Sequence, residues 1–208
     1  MHVAHILPLF ASLTAGLAIE SRQTGPASVV ISEIVANGSG CSATSVQSTA
    51  ALSNPTFWPV KRVNFTASSG ANNARVVDTR LNCQTAFKVN HTAGWSFAVA
   101  SADYYGRVKL PQGAEAISKS SYYFQGTTKN LTTQYYFDGP FDGLYFRNDR
   151  FTGASASQAL WSACGSGAVL NINSEVRVGP IGSGVSRPAS MDLYNFMENR
   201  ILVQWKKC

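Results

Sequence analysis

Three tyrosine pairs, Tyr104-Tyr105, Tyr122-Tyr123 and Tyr135-Tyr136, are the residues whose type and spacing could do the most chemistry. Each pair falls in a stretch of extended character, and alternation along a strand turns one ring of each pair inward and the other outward. Tyr105, Tyr123 and Tyr136 are the expected outward rings. On neighbouring strands they would form a ladder that stacks on the apolar faces of sugars with a hydroxyl at hand. Arg107, Lys109, Lys119, Lys129, Arg147 and Arg150 lie nearby in sequence, so the same face would hold much of the net charge of +6. The expected glycan contacts are therefore Tyr105, Tyr123, Tyr136, Arg107 and Lys109. A plainer reading competes with this one: paired aromatics suit both sides of a half-buried strand.

Groups able to make or break bonds are sparse. A Ser-His-Asp or Cys-His arrangement needs an imidazole, and beyond the first few residues the chain offers only His91, inside the sequon Asn90-His91-Thr92 in an expected exposed turn. Glycoside hydrolysis needs only two carboxylates. The densest acidic stretch holds Asp138, Asp142 and Asp149, but Asp138-Gly and Asp142-Gly also fit turn formation by an Asp side chain bonding its own backbone. No C-x-x-C spacing, no EF-hand loop and no cofactor motif occurs, so no metal, no cofactor and no catalytic residue is assigned.

The elements that must position these residues repeat with period two. Cys83, Thr85, Phe87 and Val89 share one side of a strand, and Trp95, Phe97 and Val99 continue the pattern. Further strands are expected at 28–35, 42–48, 60–66, 104–110, 114–124, 133–137, 144–147, 170–178 and 201–207. Turn formers such as Asn37-Gly-Ser-Gly, Pro111-Gln-Gly and Asp138-Gly-Pro separate them. A helix is expected only at 155–162, with a turn near 191–197. Strands so spaced predict an all-β fold, an antiparallel β-sandwich of jelly-roll type. With 208 residues, 45% of them apolar and only 13% charged, the chain has material for one real core and excludes disorder and long solvated helices.

Residues 1–18 read as a secretory signal peptide: an uncharged apolar run from Ile6 ends in Gly16-Leu17-Ala18, small residues where a signal peptidase cuts. The run is too short to span a bilayer, for which about 20 residues are needed, and no later stretch qualifies, so no integral membrane association is expected. Residues 19–208 are then a single secreted domain. All four cysteines, Cys41, Cys83, Cys164 and Cys208, lie in it, which predicts two disulfides. Of the three pairings, Cys41–Cys83 with Cys164–Cys208 is preferred; it closes loops of roughly 40 residues, each stabilising by about 4 kcal/mol on the chain-entropy account. Sequons at Asn37, Asn64, Asn90 and Asn130 predict glycosylated surface positions, which an active face should avoid.

The motifs Gly38-Ser-Gly-Cys41, Arg80-Leu-Asn-Cys83-Gln, Gly94-Trp-Ser-Phe-Ala-Val, Asp103-Tyr-Tyr-Gly-Arg-Val, Tyr122-Tyr123-Phe124, Trp161-Ser-Ala-Cys164-Gly and Leu202-Val-Gln-Trp205-Lys-Lys-Cys208 together resemble the fungal secreted family catalogued as domain of unknown function 4360. The resemblance runs from about Val29 to Cys208. It implies a secreted β-sandwich with two disulfides and supplies no catalytic residue.

The expected protein is a secreted, cofactor-free monomer, extracellular or cell-wall associated, binding cell-wall or extracellular polysaccharide through outward tyrosines and basic residues. Nucleic acid is not expected as a partner, because the positive charges are scattered and export separates the protein from it. Two other readings stand beside this one: a secreted effector or elicitor acting on a host protein, and a hydrolase using Asp138, Asp142 or Asp149.

Overall fold

The computed structural model describes residues 25–42, 46–47, 56–62, 65–70, 76–151, 159–179, 188–193 and 199–208. The expected leader, 1–18, and Asn64 lie outside them. The strands are β1 (Val29–Asn37), β2 (Val46–Gln47), β3 (Phe57–Arg62), β4 (Thr66–Ser69), β5 (Arg80–Leu110), β6 (Glu115–Phe124), β7 (Asn130–Asp138), β8 (Phe141–Arg150), β9 (Gly165–Gly179), β10 (Ala189–Leu193) and β11 (Asn199–Lys207). Every strand pairing is antiparallel. Among the described residues the helical structure is one 3-10 turn, Val76–Thr79.

One strand organises both layers. Stretches 83–89, 95–99 and 104–110 are expected as separate strands, yet they form the single 31-residue β5. No proline interrupts them, and the chain turns the corner with a bulge instead: β5 inserts residues 91–94 between Asn90, opposite Gly167, and Trp95, opposite Gly165. Gly94 sits at φ +82°, a conformation open to glycine at no steric cost, and a Cβ there would meet nothing within 4 Å. Before the bulge β5 pairs with β9 and β1; after it, with β8 on one edge and with β11 and then β10 on the other. The first layer is thus β7-β6-β9-β5-β1. The second is β8-β5-β11-β3-β2, with β10 and β4 continuing the β11 side.

The two layers face each other across a core. At one end of it Phe97 of the second layer meets Phe124 of the first edge-on at 5.1 Å, and Trp58 packs against both Phe87 and Phe97. Burying aromatics of this size contributes roughly 1.5–3 kcal/mol each. Disulfides Cys41–Cys83 and Cys164–Cys208 fasten each layer's margin, in the pairing preferred from sequence. The second ties the last residue of β11's segment to the entry of β9.

Two local expectations give way. Residues 159–162 are not helical: Trp161 forms a β-bridge to Ala98, because the free edge of β5 there offers backbone partners that a short helix would forgo; 155–158 lie outside the described residues. Likewise Met191–Leu193, expected as part of a turn, belong to β10, since their alternating burial against β5 and β4 outweighs local propensity.

Candidate functional site

Strand β8 is built inside out. Its sequence, Phe-Asp-Gly-Leu-Tyr-Phe-Arg-Asn-Asp-Arg, alternates so that Tyr145, Arg147 and Asp149 face the core while Leu144, Phe146, Asn148 and Arg150 face outward. Two charges inside are tolerable only if partnered, and among the described residues all of their polar atoms but the Nε of Arg147 are hydrogen-bonded. The Arg147 and Asp149 side chains, both 0% exposed, pair at 3.1 Å. Arg147 also donates to Ser120 Oγ, and its guanidinium lies 3.9 Å over the Tyr104 ring. Asp149 accepts hydrogen bonds from Tyr122 and from Thr133 Oγ1, and the Tyr104 and Tyr122 hydroxyls meet at 2.8 Å. Burial first, then the neighbouring Tyr104 and Asp149, hold the Tyr122 phenol well above its usual pKa. The network joins β5 and β8 of one layer to β6 and β7 of the other.

That inversion loads the outer side of β5 and β8 with carbon. Leu144 is 61% and Phe146 57% exposed, and the Phe146 and Tyr105 rings pack at 4.9 Å as cross-strand partners. Next to them Arg107 pairs with Asp142 at 2.7 Å while its backbone N–H donates to Asp192 Oδ1 at 2.9 Å. Burial raises the Asp192 carboxyl, with the Arg107 hydrogen bond and charge opposing. Between Tyr105 and Arg107, Gly106 faces inward and lets β5 close on Tyr145: a Cβ there would stand 2.1 Å from Asp192 O and 2.3 Å from the Tyr145 ring. Lys109 is exposed beyond Arg107, and the face then falls into a depression of about 640 Å³ lined by Lys109, Gln112, Pro140, Phe141 and Asp142. On the other flank Asn148 bridges Asp103 and Arg150 by hydrogen bonds.

The residues singled out from sequence are thereby divided. Alternation holds at all three tyrosine pairs: Tyr104 and Tyr122 are buried, while Tyr105, Tyr123 and Tyr136 point outward. The ladder does not form, because β5 beside Tyr105 pairs with β8 and β10 rather than β6. Tyr105, Arg107 and Lys109 share the outer face of the second layer. Tyr123 and Tyr136 lie on the first, opposite Asn130 and Ile117, about 20 Å apart along β6 at the usual rise of a strand. Phe146 and Leu144 were not among the expected contacts. Their signal was the run Leu144-Tyr145-Phe146 before Arg147-Asn148-Asp149, which puts an aromatic or apolar residue on both sides of the strand and lets sequence alone bury either side.

His91 corrects an expectation. It lies in β5, not a turn, and is 6% exposed, with edge-on contacts to Trp205 at 5.0 Å and Phe97 at 5.9 Å; its Nδ1 is 3.0 Å from the Thr92 carbonyl. The period set by Phe87 and Val89 carries it inward. The three aspartates go separate ways: Asp138 is exposed opposite Glu115, Asp142 is tied to Arg107, and Asp149 is locked in the core where no substrate can reach it. Among the described residues no three His, Cys, Asp or Glu side chains gather as a metal set, and no helix is long and apolar enough to cross a membrane. Asn37, Asn90 and Asn130 are exposed and all belong to the first layer, away from the β5–β8 face.

The first layer's outer side has a different chemistry. Rows set by the strand register bring Asn82, Gln84, Asn171 and Asn173 together across β5 and β9, with Ser121, Thr132 and Gln134 beyond them on β6 and β7. Gln84 donates to Asn171 Oδ1 at 3.3 Å. Two shallow depressions, of about 300 and 400 Å³, meet at Gln84; Asn37 and Asn82 line one, Tyr123, Gln125 and Asn171 the other. The Arg80–Glu175 ion pair at 2.7 Å closes one end of this surface.

Fold and geometry together define a disulfide-stapled all-β sandwich with two exposed, chemically different sheet faces. The chain belongs to the family described as Domain of unknown function (DUF4360), whose profile matches residues 27–208. It is 33% identical over 132 residues, 63% of its length, to a protein of Arthroderma benhamiae named "Uncharacterized secreted protein". The chain spans about half the length of that relative, which it covers over 53%. The solved structure of TmCBM61 in complex with β-1,4-galactotriose aligns over 86% of this chain and 91% of its own, at 11% identity and a TM-score of 0.31, a likeness too loose to carry any argument about ligand.

Proposed function

We propose that the protein is secreted and binds extracellular polysaccharide without cleaving it, holding the polymer across the outer face of β5 and β8. One observation carries this reading: Leu144 and Phe146 stand exposed on β8, the half-buried Tyr105 ring of β5 packs against Phe146, and Lys109 and Arg150 lie around them beside the Arg107–Asp142 pair. Exposed apolar patches on a sheet mark interaction surfaces. Here the aromatic rings match the carbon-rich faces of pyranose units, and the cations match carboxylate-bearing sugars. The face is clear of Asn37, Asn90 and Asn130, so glycans on them would leave it open. The hydrolase reading has less support, since the core holds Asp149 and Arg107 holds Asp142. Export is favoured by the 1–18 leader, the two disulfides and the secreted relative, and a wall-bound location follows from the ligand class.

The test is retention of purified protein on insoluble chitin, β-glucan and pectin. Pectin is expected to retain it at low salt, with elution as ionic strength rises. Tyr105→Ala and Phe146→Ala should both lose retention while melting within a few degrees of the parent. Indifference to all three polymers removes the proposal.

A further inference from the structure

We infer that the outer face of the first layer is a second, independent saccharide site that takes an uncharged, hydroxyl-rich oligosaccharide in the trough centred on Gln84. Asparagine is depleted in strands, because its side chain competes for the backbone, and yet Asn82, Asn171 and Asn173 occupy adjoining positions on β5 and β9, strands with a neighbour on each edge. Placement against propensity at several contiguous positions is expected where function requires it. An amide carries donors and an acceptor in one plane, the complement of neighbouring sugar hydroxyls; the Asn82 oxygen already accepts from Ser39 Oγ at 3.0 Å and the Asn171 oxygen from Gln84, which leaves the Asn173 oxygen as the open acceptor.

The trough has the parts such a ligand would use. The Gln84–Asn171 hydrogen bond holds two of the amides in a fixed relation, so less freedom is lost on binding. Asn173 Oδ1 is buried and has no hydrogen-bond partner among the described residues, an acceptor left for a hydroxyl that can reach it. Tyr123 flanks the second depression as a stacking ring, and Gln125 and Thr127 close its rim. No charged side chain among the described residues lines either depression, and the ion pairs flanking them, Arg80–Glu175 and Lys88–Glu33, are each self-neutralised, so nothing in the trough selects for charge.

Two sequon asparagines bound the trough. Asn37 lines the first depression, and Asn130 stands opposite Tyr123 in the strand register. A glycan on either would overlie the site, so the inference takes both asparagines to be unoccupied in the secreted protein, and occupancy of either, read by mass spectrometry of its peptides, overturns it.

Titration calorimetry with neutral hexasaccharides of glucose, mannose, galactose and N-acetylglucosamine is the test. At least one should bind, insensitive to added salt. Gln84→Ala and Tyr123→Ala should each weaken it roughly three- to tenfold, and Tyr105→Ala should leave it unchanged. Gln125→Ala, in an exposed turn, should weaken binding without touching a strand and serves if the strand variants fail to fold. Absence of heat with all four sugars overturns the inference, as does binding that is lost in Tyr105→Ala and kept in Gln84→Ala. Pectin retention reads the β5–β8 face separately, so either site can fail alone.

Discussion

The two outer faces of this sandwich are made by the same strand and differ in every property that governs recognition. Before its bulge β5 contributes Asn82 and Gln84 to a surface of amides and hydroxyls; after it, Tyr105, Arg107 and Lys109 to a surface of rings and charges. The first can replace water's hydrogen bonds one for one and gains little from burial. The second gains from covering carbon and is tuned by salt. What separates them is mechanical. A bulge of residues 91–94, three more than β9 spends between the flanking pairs, with a glycine at φ +82°, passes the strand from one layer to the other, so a single alternating sequence exposes two unrelated sets of side chains.

The difference rests on β8 keeping its charges inside, so the most damaging change should be there. Asp149→Ala leaves a wholly buried guanidinium unpaired and is expected to cost about 3–5 kcal/mol, whereas Asp142→Ala, at a pair half exposed on the outer side, should cost at most about 1 kcal/mol. Denaturant midpoints of the two variants measure the contrast, and equal losses would mean that β8 is not inverted. Replacing Cys164 and Cys208 by Ser should lower stability by about 2–4 kcal/mol, read by thermal melting.

Alkaline pH probes the same interior. Tyr122 and Tyr145 have phenol pKa values raised by burial above the ordinary value of 10.0. The folded state therefore keeps protons that the unfolded state has lost, and stability that is intact below pH 10 falls as pH climbs beyond it. Each tyrosine contributes a slope of up to about 1.4 kcal/mol per pH unit. Tyrosinate absorbance from these two rings should rise with unfolding, in one step. The smallest stability effect belongs to Phe146→Ala, within about 0.5 kcal/mol because the ring is largely exposed. Pectin retention should nevertheless collapse, which separates a binding residue from a packing one.

Much of the fold was legible because period two is written plainly: Cys83 to Val89, Trp95 to Val99 and 114–124 alternate and are strands. Two disulfides were legible from the cysteine count, and of three possible pairings the preferred one is the one formed. The merging of three expected strands into β5 was not legible, since Gly94 reads as a turn former whether the chain reverses or bulges. The site was only half visible. Tyr105, Arg107 and Lys109 could be aligned by alternation within one strand, but the partner strand decides what stands beside them. That partner is β8, with Phe146 and Leu144, and not the strands bearing Tyr123 and Tyr136.

By itself the sequence determined the class of secondary structure, the number of disulfides and the export-compatible chemistry of the chain, because these depend on residue type, count and near spacing. Which side of each strand meets the core, and which strands adjoin, was decided in three dimensions. For β8 the apolar set and the charged set could each have been buried, and the choice fell to Tyr104, Ser120, Tyr122 and Thr133, hydroxyl and ring partners drawn from three other strands. Only where those groups converge does placing an arginine and an aspartate inside cost less than leaving them unpartnered, and only then do Leu144 and Phe146 reach the surface.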